Sequence, residues 1–153
     1  TSDPKGVMVT HGNLLYNLWD MATSWFKFDG DGRLVTWLPV FHDMGLIAGL
    51  LFPVYGKFPC YMMAPRDFVQ QPVRWLEAIS LYRATHSCAP TFAFDLCSRK
   101  VTPAQRANLD LSSWIMAGNG SEPIHWETLE RFANTFRGCG LAWKTISTAY
   151  GLA

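Results

Sequence analysis

The sequence predicts an α/β protein built of mostly parallel βαβ units. Short β-branched or apolar runs alternate with longer stretches whose apolar residues recur at helical spacing. The runs also end in polar or Gly-rich turns, at 39–45, 117–123 and 150–152, where a parallel sheet presents its carboxyl edge. Alternation at this spacing implies right-handed crossovers.

In chain order, GVMVT (6–10) is a β-branched run suited to a strand. Residues 11–26 carry an apolar stripe through Leu14, Leu15, Leu18, Met21, Ala22 and Trp25, predicting a helix. DGDG (29–32) has acidic spacing like the start of a calcium loop, but the ligands that should follow are missing, so it reads as a turn. RLVTWLPV (33–40) is a buried strand, HDMGLIAGLLFPVYG (42–56) a helix with small residues for close packing, and FPCYMM (58–63) a second strand. QQPVRWLEAISLYRA (70–84) predicts a helix with Pro72 near its start and a stripe through Val73, Leu76, Ile79 and Leu81. THSCAP (85–90) is a strand, TFAFDLCSRKV (91–101) a helix with Thr91 as its cap, and SSWIMAGNG (112–120) a strand running into a turn. EPIHWETLERFANTF (122–136) is a helix, and KTISTAYG (144–151) a last strand.

The composition narrows the function. With 49% hydrophobic residues and seven Trp, the chain has ample core material and is not disordered. Only 16% of residues are charged, so part of its surface is expected to be covered by further sequence. Net charge is +1 with no basic stripe, which leaves no footprint for nucleic acid or an anionic membrane. The apolar runs are broken by Gly and Pro before they reach the ~20 residues of a membrane span, and there is no signal segment. Cys60, Cys88, Cys97 and Cys139 form no C-x-x-C pair and stand near no His at metal-ligand spacing, so they read as buried thiols of a cytoplasmic protein.

Four stretches can carry chemistry. TSDPKG (1–6) suits a phosphate-binding turn with Lys5 as a point charge, although it lacks the Walker order and equally suits a surface turn. In WLPVFHDMG (37–45), His42 and Asp43 follow a buried strand, as a ligand-facing pair or as a helix cap. In AGNGSEP (117–123), Gly118 and Gly120 can let a ligand approach the backbone, or simply build a tight turn. Pro123 breaks the G-x-G-x-x-G fingerprint, and HWE (125–127) lacks the P-C-x-x-C of a zinc deaminase. TAYGLA (148–153) exposes Tyr150 and Gly151 at a strand end.

Their order and spacing resemble the adenylate-forming superfamily of acyl-CoA synthetases, luciferases and nonribosomal adenylation domains. TSDPKG resembles the tail of its Y-T-S-G-S-T-x-x-P-K-G phosphate loop, and YGLA the start of its Y-G-x-[AT]-E motif. WLPVFHDMGLI, APTFAFDLC and LDLSSWIMAGNGSEPI look specifically like the fatty acyl-AMP ligases. The resemblance covers essentially all of residues 1–153 and implies part of the large N-terminal domain of such an enzyme, truncated at both ends, within a parent several times longer.

The resemblance implies that a fatty acid carboxylate attacks the α-phosphate of ATP. Acyl adenylate and pyrophosphate form, and the acyl group passes to the phosphopantetheine thiol of an acyl carrier protein. It assigns Thr1, Ser2 and Lys5 to the β- and γ-phosphates, and His42 to the reacting carboxylate as the catalytic residue. Asp43, Met44 and Gly45 complete the branch signature. Asn119, Gly120, Ser121, Glu122 and Pro123 flank adenine, and Tyr150 with Gly151 stacks on it. Met44, Gly45 and Phe92 face the acyl chain; Met44, Ile47, Leu50, Phe92 and Phe94 equally suit the core. The Glu that helps hold Mg²⁺ is expected beyond Ala153, with no metal ligand inside the chain, and the chain by itself is expected to make no acyl adenylate. The rivals are a fatty acyl-CoA synthetase and a noncatalytic module of the same fold that binds acyl chains or partners. A serine hydrolase is disfavoured because no G-x-S-x-G elbow exists.

Overall fold

The computed structural model describes residues 6–26 and 31–151. Five strands form one parallel sheet in the order β2-β1-β3-β4-β5: β1 (Leu34–Thr36), β2 (Cys60–Met62), β3 (His86–Ala89), β4 (Met116–Asn119) and β5 (Ile146–Thr148). After β1 the chain builds β2 on one side, then crosses to β3 on the other. The β1/β3 boundary is therefore the topological switch point, outside which α/β sheets hold their ligands.

Alternate residues face opposite sides of the sheet. On one face, Trp75 Nε1 donates to Ser87 Oγ at 2.8 Å, and Ser87 Oγ donates to the Val35 carbonyl at 2.6 Å. This pins α4 (Val73–Leu81) across β1 and β3. Edge-on rings of Trp75, Phe94, Trp114 and Phe132 then join α4 to α5 (Thr91–Lys100) and α7 (Trp126–Phe136). On the other face, Trp25 donates to Ser147 and lies over Gly118, where a Cβ would stand 2.8 Å from Cys88 Sγ and 3.0 Å from Trp25. The Gly118 notch thus admits a tryptophan, not a ligand.

Several elements differ from expectation. GVMVT forms no strand, and Val7, Met8 and Val9 stand exposed. Thr10 caps α1 (His11–Asp20) in a reciprocal box with Asn13, which commits the end of this run to a helix start. The helices over 11–26 and 42–56 widen into π-helical turns at Met21–Trp25 and Met44–Leu51, the second running into α2 (Phe52–Gly56). The N–H of Phe52 reaches back five residues to Ile47. The helix over 70–84 stands as α4 with Pro72 at its N-cap, shortened to Val73–Leu81 because Pro72 drives Gln71 out of helical conformation (φ −140°, ψ 86°), and α3 (Pro65–Gln70) precedes it. Thr91 is the first residue of α5 and does not cap it; Pro90 holds that position and has no side-chain donor or acceptor. The last strand keeps only Ile146–Thr148, and α7 starts four residues later than expected, after a bend at 121–122 and an extended His125 (φ −104°, ψ 107°). The sequence reading places no element between 101 and 112, where Thr102 and Gln105 form a capping box that starts the short helix α6 (Pro103–Arg106), with Pro at its first turn. Only Asp31 and Gly32 of DGDG fall among the described residues.

Candidate functional site

Three of the four candidate stretches meet at the carboxyl edge. Beyond β1 the chain turns at Pro39, with the His42 N–H on the Pro39 carbonyl at 3.1 Å, and enters the π-helical segment. A side chain at Gly45 would collide with the Pro39 carbonyl, so only glycine lets this helix start press onto the turn. Beyond β4, Gly120 lies against Met44 and β5: a Cβ there would stand 3.6 Å from Met44 Cε and 2.7 Å from the Ala149 carbonyl oxygen. The Ala149 N–H donates to the Asn119 carbonyl at 2.8 Å, which extends the β4–β5 pairing to the rim. A Cβ at Gly151 would lie 4.0 Å from Asp43 Oδ2. The ends of β1, β4 and β5 are thus one place.

His42 Nδ1 lies 2.6 Å from Asp43 Oδ1, with both side chains partly exposed. A proton on Nδ1 satisfies that pair and leaves Nε2 of the neutral ring as a free acceptor. Asp43 also accepts the Met44 N–H at 2.8 Å. Of the two readings, the helix cap is the one seen: Asp43 caps the segment, and the same carboxylate fixes the imidazole. Tyr150 is 90% exposed, with its ring open to a planar partner.

Asn119 is fully buried, donating to the Ala89 carbonyl at 3.4 Å and to Thr91 Oγ1 at 3.2 Å. Ser121 is left-handed (φ 68°), a conformation rare outside glycine. Glu122 Oε1 accepts the Phe92 N–H at 2.6 Å. Phe92 is 46% exposed and stands edge-on to Trp37 and Phe68, on the opposite face of the sheet from Met44. The three acyl-facing candidates therefore do not share one wall here. Phe94 is core. Thr1, Ser2 and Lys5 lie outside the described residues.

The space at the site is limited. An apolar slit beside Met44, lined by Leu34, Thr36, Leu38, Ala48, Gly49 and Cys88, is too narrow for a water molecule. A more open groove of about 340 Å³ lies between α5 and α7, lined by Phe92, Glu122 and His125 among others. Burial pushes the Cys88 thiol up to about 12 and Cys60 to about 11, so neither is a nucleophile at neutral pH. Among the described residues no group of three His, Cys, Asp or Glu is placed to hold a metal. The rim carboxylates Asp43 and Glu122 each accept one backbone N–H, from Met44 and Phe92. Sequence reasoning missed Thr91 as a partner of the 119–123 loop, and no local pattern signals it. It also missed Trp37, whose indole N–H is buried without a hydrogen-bond partner.

The profile of the family described as "AMP-binding enzyme" matches residues 1–153. The chain is 49% identical over its whole length to a medium-chain-fatty-acid–[acyl-carrier-protein] ligase, JamA, of Moorena producens, and covers 26% of that protein. It is 46% identical to the corresponding ligase TtuA of Teredinibacter turnerae, again over its whole length, covering 24%. It thus spans about a quarter of the length of these curated relatives. A crystal structure of a fatty acyl-adenylate ligase from L. pneumophila, in complex with acyl adenylate and pyrophosphate, superposes with a TM-score of 0.93 at 44% identity, over 97% of this chain and 26% of that one.

Proposed function

The chain belongs to the AMP-binding enzyme family, and we propose that the protein containing it activates a fatty acid as its acyl adenylate and delivers the acyl group to a carrier-protein thiol. The observation that carries this reading is the meeting of His42–Asp43, Gly120 and Tyr150–Gly151 at one rim of the sheet. Fatty-acid ligases at up to 49% identity support the substrate class.

In this reading a carboxylate oxygen of the fatty acid attacks the α-phosphorus of ATP. A P–O bond forms, the bond to the bridging oxygen breaks, and pyrophosphate leaves with the electron pair. Such a transfer needs positioning and charge neutralisation more than covalent help. Asp43 fixes the His42 ring through Nδ1, so the imidazolium, which carries a second proton on Nε2, can donate to the carboxylate and hold it in line. Tyr150 offers its face to adenine, and the 120–123 backbone borders the ring's edge. Thr1, Ser2 and Lys5 take the β- and γ-phosphates on sequence grounds alone. Met44 and Gly45 border the acyl group, and Phe92 reaches it only across the rim. ATP enters as its Mg²⁺ complex. In the second half-reaction the carrier thiolate attacks the acyl carbon and AMP leaves.

The acceptor is a phosphopantetheine-bearing protein, and the setting is the cytoplasm, which suits four free thiols. Among the described residues no helix is long and apolar enough to cross a membrane. The test is hydroxylamine trapping with the full-length enzyme: fatty acid and ATP should give the hydroxamate, and its absence with active-site loading intact would refute adenylation.

A further inference from the structure

The loop after β4 is held more firmly than a surface turn requires. Glu122 Oε1 accepts the N–H of Phe92, the second residue of α5, at 2.6 Å. A carboxylate from a separate element thereby satisfies one of the helix's unpaired N-terminal donors. Beside it, Asn119 Nδ2 donates to Thr91 Oγ1 at 3.2 Å, and Thr91 Oγ1 donates to the Pro123 carbonyl at 3.3 Å. Asn119 and Thr91 are both buried. The two ends of the loop are thus tied to the start of α5, while Gly120 is wedged against the Ala149 carbonyl and Ser121 is kept at φ 68°. A left-handed serine persists only where its surroundings over-determine it.

We infer that Glu122, with Thr91 and Asn119 behind it, is a positioning residue: it fixes the backbone of residues 120–123 in the shape that receives the nucleotide, acting through the Phe92 N–H. This role rests on the adenylating function proposed above. It makes the 120–123 loop a preformed wall, ordered before ATP arrives, so the cost of ordering is not charged against nucleotide affinity.

The experiment uses the full-length enzyme and measures AMP affinity by calorimetry, KM for ATP and for fatty acid, and Tm. Glu122→Ala should weaken AMP binding and raise KM for ATP by about tenfold, the scale of one charge-assisted hydrogen bond, while KM for fatty acid stays within about twofold. Glu122→Gln keeps an acceptor oxygen and should return AMP affinity to within about threefold of the unsubstituted enzyme. Thr91→Val removes the second tie without touching Glu122 and should move AMP affinity in the same direction. Asp95→Asn is the control: it breaks the pairs with Arg99 and Arg131 on the same helix, so it should lower Tm and leave AMP affinity unchanged. The role is overturned if Glu122→Ala binds AMP normally, if it loses no more affinity than Asp95→Asn, or if Glu122→Gln is as weak as Glu122→Ala. If the unsubstituted enzyme binds no AMP, the adenylating function itself falls before any variant is compared, and this role falls with it.

Discussion

Gly120→Ala is the sharpest single perturbation of the rim. The added methyl would stand 2.7 Å from the Ala149 carbonyl oxygen, about 0.7 Å inside ordinary contact distance. The obstacle is backbone, not the end of a flexible side chain, so the exit of β5 must retreat or the β4–β5 rim must open. Opening strains the bond from the Ala149 N–H to the Asn119 carbonyl, 2.8 Å long. Overpacking of this kind costs about 1–3 kcal/mol. A displacement approaching 1 Å where Tyr150 leaves the sheet should lower kcat/KM for ATP by about tenfold to a hundredfold. The assay pairs urea unfolding of the full-length enzyme with steady-state adenylation. Gly138→Ala supplies the reference, because a Cβ there meets nothing within 4 Å and its backbone is not left-handed; it should change stability by less than about 0.5 kcal/mol. If Gly120→Ala is as mild as Gly138→Ala in both readouts, the packing of the rim is not as described.

Ser87→Ala leaves the buried Trp75 N–H without its acceptor and should destabilise the enzyme by about 1–3 kcal/mol in urea, with the KM values unchanged. His42→Ala should lower adenylate formation by about a hundredfold while AMP binding persists, whereas Asp43→Asn, which can still cap Met44, should lose less. The thiols give a pH prediction. Burial raises Cys88 to about 12 and Cys60 to about 11 from an ordinary value of 9.0, so the unfolded chain deprotonates first. Stability is therefore intact below pH 9 and declines as pH rises from 9 toward 12; native alkylation with iodoacetamide at pH 8 should be slow, and should accelerate sharply in urea.

The alternation of strands and helices was legible in the sequence because each element buries a face, and burial leaves a periodic trace. Pro72, Pro90 and the glycines punctuated it correctly even where boundaries moved. The rim was legible as three separate turns, and His42 with Asp43 was identifiable as a pair. What local pattern could not carry was tertiary partnership. Glu122 belongs to the start of α5, 30 residues away in sequence, and Thr91 looks like a helix cap until Asn119 and Pro123 are brought to it. The β-branched run at 6–10 shows the opposite limit. It has the composition of a strand, but none of the five strands pairs with it, and Thr10 turns its end into a helix cap.

The most direct measurement loads the full-length enzyme with a labelled fatty acid and ATP, then offers holo acyl carrier protein and coenzyme A separately. Label should appear on the carrier protein and none on coenzyme A. Label on coenzyme A would contradict it and make the protein a fatty acyl-CoA synthetase, and no labelled adenylate at all would remove the enzymatic reading of the rim.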